Sequence, residues 1–262
     1  MGTALSKEIE KYRVDAVDAA LRVLQLISET PDLGLSEIAR RSGESKARAY
    51  RLLCSLEASN FISSTPERRT YRLGLAALAV GNAAERQIDI ARIAGPIIAK
   101  LGSDTGETVQ LRVRDGRNSL SVAGWEPDRA VKVLSGIGGR RPMHAGSGVV
   151  LLAFQDEAFR EALLSEPLEA FTDRTCVDPD RLRQVLAQVR DQGFYVSRGE
   201  VSPDLISISA PVMGPDRQII ATIHIGAPTG RVSESILPTL IETVRSAARE
   251  LSALLSASRT VG

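Results

Sequence analysis

Leu35-Ser36-Glu37-Ile38-Ala39-Arg40-Arg41-Ser42-Gly43 and, after Glu44, Ser45-Lys46-Ala47-Arg48-Ala49-Tyr50-Arg51-Leu52-Leu53-Cys54-Ser55-Leu56 are the stretch that decides the fold of the first part of this chain. The first nine residues read as a short helix with Ser36 as its N-cap, ended by Gly43 in a tight turn. A new helix then begins near Ser45, with Ala49, Leu52, Leu53 and Leu56 at i, i+3, i+4 and i+7 forming one buried stripe. Helical geometry turns Ala47, Arg51 and Cys54 outward, flanked by Glu44, Arg48, Tyr50 and Ser55. A short helix, a glycine turn and a second helix with arginines on its free face make a helix-turn-helix, whose second helix enters the major groove by its amino-terminal end. Small Ala47 allows close approach to base edges, while Arg48 and Arg51 can pair with guanine or grip phosphate.

Both flanks fit that reading. Upstream, Ala16, Ala20, Val23, Leu24 and Ile27 recur at helical spacing, with Asp15 as an N-cap and Pro31 and Gly34 stopping the helix. Downstream, residues 61–64 and 70–73 are strand-like runs about the turn Thr65-Pro66-Glu67-Arg68-Arg69, a wing with Arg68 and Arg69 at its tip. Residues 36–72 hold eight basic against four acidic side chains, in a chain whose net charge is only +1. A compact cationic segment in an otherwise mildly acidic chain is the footprint of a polyanion partner.

The rest of the composition excludes more than it selects. With 262 residues, 43% hydrophobic and 25% charged, the chain has material for about two ordinary globular domains. The longest apolar stretches, 148–154 and 219–225, are far shorter than a bilayer requires. The mixed-charge start lacks the apolar core of a secretory signal, so a cytoplasmic protein is expected. Met1-Gly2-Thr3-Ala4-Leu5-Ser6 fits the N-myristoylation pattern, which is too permissive to establish an anchor. Cys54 and Cys176 are far apart and outside any CxxC spacing, so they read as free thiols.

In the second part, residues 76–92 are alanine-rich and read as a helix before Gly95-Pro96, followed by a short helical set at 97–101. Residues 107–113 and 119–125 are strand-like and joined through Asp115-Gly116, a hairpin turn signal; Val131, Val133 and Leu134 suggest a third strand. Residues 149–154 and 180–192 read as helices, 205–213 and 218–225 as further strands, and Ile236 to Leu255 carry the stripe of a long closing helix. Strands mixed with helices without regular alternation indicate an α+β domain.

The chain resembles the isocitrate-lyase-regulator (IclR) family of bacterial transcription factors. The likeness rests on residues 16–24, 35–43, Tyr50-Arg51-Leu52-Leu53, Leu56-Glu57, Tyr71-Arg72-Leu73-Gly74, Thr105-Gly106-Glu107-Thr108-Val109, Arg141-Pro142-Met143-His144-Ala145, Gly193-Phe194, Ser209-Ala210-Pro211-Val212 and Ile225-Gly226-Ala227-Pro228. It runs in order through nearly the whole sequence. The resemblance implies a winged helix-turn-helix DNA-binding domain over residues 13–78, a linker helix over 79–95 and a GAF or profilin-like effector-binding domain over 96–258. It implies DNA contacts from Ser36, Ser45, Lys46, Ala47, Arg48, Tyr50, Arg51, Arg68, Arg69 and Arg72. For the effector it implies Gly146 and Ser147, where free backbone N–H groups at a helix start can bind an anion, together with Leu134, Ser197, Leu205, Ser207, His224 and Gly226. Family members often carry Asp, Cys and two Ser residues where Ser197, Ser207, His224 and Gly226 stand here, and Ser or Thr where Ala47 and Arg48 stand.

The expected function is therefore a ligand-responsive regulator of a bacterial catabolic or metabolic operon. It would bind a palindromic duplex as a homodimer or homotetramer and answer to a small organic acid or aromatic metabolite, with no cofactor, metal or membrane partner. A competing reading is a small-molecule enzyme with an accessory helix-turn-helix, using Ser147 as nucleophile and His144 or His224 as base. Against it, Ala145 and Val149 stand where a hydrolase elbow needs glycine, and Arg141 spoils a dinucleotide loop at Gly136-Ile137-Gly138-Gly139. A third reading, a winged helix used only for protein contacts, predicts little loss when Arg48, Arg51 and Arg69 are neutralised.

Overall fold

The computed structural model describes residues 12–65, 69–134 and 136–258. The myristoylation-like start and Arg68 at the wing tip therefore lie outside the described residues. The chain divides into two compact units, Met1–Gln87 and Ile88–Gly262.

In the first unit, helix α1 (Asp15–Glu29) buries Ala19, Val23 and Ile27, one residue per turn. Val14 holds the N-cap position, not Asp15 as expected; Asp15 opens the first turn, where its charge complements the helix dipole. A two-residue strand β1 (Leu33–Gly34) runs directly into α2 (Leu35–Ser42), so Gly34 is the cap and the expected role of Ser36 as N-cap is not realised. Gly34 pairs with Thr70, and the helix begins two residues earlier than a Ser36 cap would place it. Gly43 takes the left-handed φ of 73° that an L side chain rarely adopts, and its N–H returns to the Ala39 carbonyl. Helix α3 (Lys46–Ala58) is capped by Ser45, whose hydroxyl accepts from the Arg48 N–H at 3.2 Å. Its buried Ala49, Leu52 and Leu53 face α1 and α2, and Leu52 and Leu53 join Val23, Ile27, Ile38 and Ile62 in one apolar core. The wing strands β2 (Ile62–Thr65) and β3 (Thr70–Leu73) complete a sheet of order β1-β3-β2, and helix α4 (Leu75–Gln87) closes the unit.

The second unit begins with α5 (Asp89–Thr105), which runs straight through Pro96. The expected stop at Gly95-Pro96 is absent. An interior proline costs about 3 kcal/mol, and burial of Ala94, Ile97, Ile98 and Leu101 against the sheet offsets it. The sheet is antiparallel, of order β6-β5-β4-β9-β8-β7, built from β4 (Thr108–Asp115), β5 (Asn118–Trp125), β6 (Arg140–Pro142), β7 (Tyr195–Arg198), β8 (Leu205–Met213) and β9 (Ile219–Pro228).

Strict alternation along β4, β8 and β9 gives the sheet two unlike faces. Val109, Leu111, Ile208, Ala210, Ile223 and Ile225 form the apolar one, packed on α5 and on α9 (Leu237–Ser258). The other carries Gln110, Arg112, Ser207, Ser209, Thr222 and His224, all buried. Beyond it lies a second core made by α6 (Gly148–Ala153), α7 (Glu157–Leu164) and α8 (Pro179–Gln192).

The expected third strand at 131–134 is not a strand. Val131 and Leu134 are exposed in a loop, and the place beside β5 is taken by β6. The loop is fastened to β4 by side chains instead: Thr108 donates to the Val133 carbonyl and Gln110 to that of Leu134.

Candidate functional site

Two surfaces concentrate the chemistry. On α3, Lys46, Ala47, Tyr50, Arg51 and Cys54 are exposed, as 3.6-residue geometry requires once Ala49, Leu52 and Leu53 are buried. The side chains of Lys46, Arg51 and Arg69 have no hydrogen-bond or ion-pair partner among the described residues. The other arginines of the segment are engaged. Arg48 pairs with Asp15 at 2.5 Å and with Glu44 at 3.2 Å, and Glu44 is held in turn by Arg22 at 2.8 Å. Its guanidinium thus ties α3 to α1, although sequence geometry placed it as a reader of base edges.

Arg40 and Arg41 both bond Glu37, whose carboxyl they hold down at about 2. Arg72 makes a two-pronged contact with Asp32, 2.6 Å on each side. Arg69 sits at the wing with a φ of 51°, and Ser36 and Ser45 are exposed at the starts of α2 and α3. Local charge counting found the cationic segment but could not see which charges have partners.

The second surface is a cavity of about 200 Å³ on the polar face of the large sheet. All eight residues expected to contact an effector, Leu134, Gly146, Ser147, Ser197, Leu205, Ser207, His224 and Gly226, line it. Antiparallel register explains how segments so far apart meet: Ser197 pairs with Ser207, Ser207 with Gly226, and His224 stands between Ser209 and Gln110. Sequence reasoning missed Gln110 and Arg112 on β4, Val201, and the rim residue Arg141. The signal was present in Thr108-Val109-Gln110-Leu111-Arg112-Val113, where polar residues alternate within a strand that is covered on both faces.

Arg112 is only 4% exposed. Its Nε donates to Ser119 Oγ, its Nη1 to Gln110 Oε1, and its Nη2 to the carbonyls of Ser119 and Gly139. Burial, and then the charge of Arg141, push its pKa down to about 10, so it stays protonated at neutral pH. His224 is pushed down to about 3, first by burial and then by Arg112, and is therefore neutral; its Nδ1 is buried without a partner.

The free backbone N–H expected at Gly146 is already used. It donates to Glu200 Oε2 at 2.9 Å, while the Tyr195 hydroxyl donates to Oε1 of the same buried carboxylate at 2.5 Å. That shared carboxylate pins the loop before α6 to β7. His144 does not join the cavity. Its Nε2 lies 2.8 Å from the Glu169 carbonyl and its ring stacks on Phe171, so it is no base for Ser147. Among the described residues no hydrogen bond links Ser147 to either histidine, no cluster of His, Cys, Asp or Glu could hold a metal ion, and no helix is long and apolar enough to cross a membrane.

Residues 16–66 match the IclR helix-turn-helix domain, and residues 82–253 match the bacterial transcriptional regulator IclR C-terminal domain. The chain belongs to the IclR family. Among relatives of this IclR-family protein, the HTH-type transcriptional regulator KipR of Bacillus subtilis is 32% identical over 89% of this chain and 94% of its own. An IclR transcriptional regulator from Alicyclobacillus acidocaldarius superposes with a TM-score of 0.82 at 27% identity, covering 92% of this chain and 99% of that one. An IclR homolog from Microbacterium hydrocarbonoxydans, solved with 4-hydroxybenzoate, shares the fold with a TM-score of 0.75 at 23% identity over 92% of this chain and 99% of its own. This IclR-family protein is a helix-turn-helix transcriptional regulator, and its relatives are regulators, not enzymes.

Proposed function

We propose that two copies of the chain read a palindromic operator through the amino-terminal ends of their α3 helices, and that a small organic acid or aromatic compound in the second unit's cavity changes that affinity. The observation that carries the DNA half is the exposed α3 face, where the side chains of Lys46 and Arg51 have no partner among the described residues and flank small Ala47 and Tyr50. Lys46, Ala47, Tyr50 and Arg51 contact base edges and adjacent phosphates. Ser36, Ser45, Arg68, Arg69 and Arg72 contact the backbone, and Arg48 orients α3 from its anchorage on Asp15. For this division of labour the DNA-binding, linker and effector parts are taken as 13–78, 79–95 and 96–258, the linker stretch comprising the end of α4 and the start of α5 on the two sides of the unit boundary at Gln87.

Pairing of copies is supported by apolar side chains left exposed in the first unit. Val14, Val17 and Leu21 make a stripe along α1, and Leu75, Leu78 and Val80 stand out on α4. Exposed apolar side chains clustered on a helix mark an interaction site, and a second copy suits it because one recognition helix reads only a few base pairs. The regulator acts in the cytoplasm, where its operator lies.

The cavity half is supported by size and lining: about 200 Å³, mixed apolar and polar, with no acidic side chain among the described residues. A molecule of the 4-hydroxybenzoate kind, held by the Microbacterium relative, meets both requirements. For the ligand to act, it must bind two arrangements of the dimer unequally. Footprinting on the DNA upstream of the gene, with and without candidate acids, tests the whole reading. A protected palindrome whose occupancy changes with one acid is expected; the absence of any protected site overturns it.

A further inference from the structure

We infer that Arg112 is the charge-selecting contact of the cavity: it admits ligands that present one carboxylate-type anion, and it rejects neutral analogues of the same shape. This deepens the reading of the cavity as the effector site and rests on it. Three observations converge. Arg112 is buried, yet among the described residues no carboxylate pairs with it; all of its acceptors are neutral oxygens. Hydrogen bonds to neutral groups satisfy the donors of a buried cation but leave its charge uncompensated, a costly arrangement that a bound anion relieves.

Among the described residues the lining contains two arginines, Arg112 and Arg141, and neither Asp nor Glu. The nearest buried acid, Glu200, is turned to Gly146 and Tyr195. The Nδ1 of His224 is buried with no hydrogen-bond partner among the described residues, and the ring is neutral, so it can present an N–H to an anion without adding an electrostatic barrier of its own. The positions that the family resemblance supplied are neutral here, at Ser197, Ser207, His224 and Gly226, so discrimination by charge falls to β4.

Accounting of the guanidinium donors makes the contact specific. Four of the five N–H groups have acceptors, and the remaining N–H is on Nη1, the nitrogen bonded to Gln110 Oε1. An incoming carboxylate takes that donor and competes with the Gln110 oxygen for the other. The uncharged remainder of the ligand then meets Val133, Leu134, Val201 and Leu205, which supply apolar contact without a second charge. Serines 197 and 207 are left to read a hydroxyl on that remainder.

The test uses the full-length protein and matched probes: benzoate against benzamide, and 4-hydroxybenzoate against 4-hydroxybenzamide, titrated by calorimetry and by thermal shift. We expect each acid to bind about tenfold or more tighter than its amide, the size of a charge-assisted hydrogen bond over a neutral one. In Arg112→Gln that preference should fall to about threefold or less, and Arg112→Lys should retain part of it because it keeps the charge but not the fork. The acid-to-amide comparison on the wild-type protein needs no variant, so misfolding of Arg112→Gln leaves the inference testable. Equal binding of acids and amides, no binding of either acid, or an unchanged preference in a folded Arg112→Gln overturns it. A separate mobility shift by the untreated wild-type protein on its upstream DNA reports the regulatory reading alone. Acid selectivity without DNA binding would refute that reading and leave the charge selection standing, and a DNA shift without acid selectivity would do the reverse.

Discussion

On α3 the unpartnered Arg51 stands in open solvent on a helix whose geometry is set by its immediate neighbours in sequence, whereas Arg112 is enclosed on β4 by groups that come from residues 110, 119 and 139. Solvent screens the first, so its charge costs little to hold and waits for a polyanion. The second is desolvated, so its charge is expensive and its selectivity correspondingly sharp. A surface cation suits a long, densely charged partner read by several contacts at once. A buried one suits a small ligand, where a single charge decides between acceptance and rejection.

The strongest challenge to this contrast is to remove the scaffold of the exposed region. Leu53→Ala leaves a hole between α3 and the core around Ile27, Ile38 and Ile62, and should cost about 2–5 kcal/mol of first-unit stability. Denaturant titration followed by a probe in that unit checks it, and a loss below about 1 kcal/mol would mean α3 is not packed as described.

Next comes the reading face itself. Arg51→Ala should weaken operator binding by about 1–3 kcal/mol and relax base preference at one position. Arg48→Ala should cost less affinity than Arg51→Ala, because Arg48 is spent on Asp15 and Glu44. Competitive shifts over single-base operator variants rank the two, and a larger and base-specific loss for Arg48→Ala would reverse the assignment.

The buried region offers a pH signature. His224 has a pKa near 3 in the folded chain, against about 6.5 when exposed. Between those values the unfolded chain binds the extra proton, so stability is full above about pH 6.5 and falls as pH drops toward 3, by at most about 1.4 kcal/mol per pH unit. Unfolding midpoints of wild type and His224→Gln from pH 7 to 4 should converge at low pH; parallel curves would show that His224 is not buried and neutral. The smallest effect is steric. A Cβ at Gly226 would meet Val133 and Leu205 at 3.5 and 3.8 Å, ordinary contact distances. Gly226→Ser should therefore fold normally while narrowing the cavity, and a ligand panel should shift by a few-fold toward smaller acids.

The same contrast explains what could be read without coordinates. The stripe Ala49-Leu52-Leu53, the helix start near Ser45 and the turn at Gly43 are local, and each appears where the sequence puts it. Pairings across the fold were not legible: nothing near Arg48 in sequence announces Asp15, and nothing near Arg72 announces Asp32. In the second unit the family resemblance gathered Ser197, Ser207 and His224 to one place, and the sheet register brings them there. It passed over Gln110 and Arg112, because a polar residue in a strand ordinarily faces water and only the covering loop and α6 make this face an interior. The false strand at 131–134 arose from the apolar run Val131, Val133 and Leu134, whose carbonyls are satisfied by the side chains of Arg231, Thr108 and Gln110 instead of by a neighbouring strand. Pro96 shows the reverse case, a strong local stop signal overridden by burial of its neighbours.

The central claim is that the α3 surface binds duplex DNA by sequence, and fluorescence anisotropy of the full-length protein on a labelled duplex from upstream of its gene tests it most directly. We predict tight binding that falls steeply with salt, is much weaker on a scrambled duplex, and is largely lost in the Lys46→Ala, Arg51→Ala double variant. Equal affinity for the scrambled duplex, or undiminished binding by that double variant, would contradict the account.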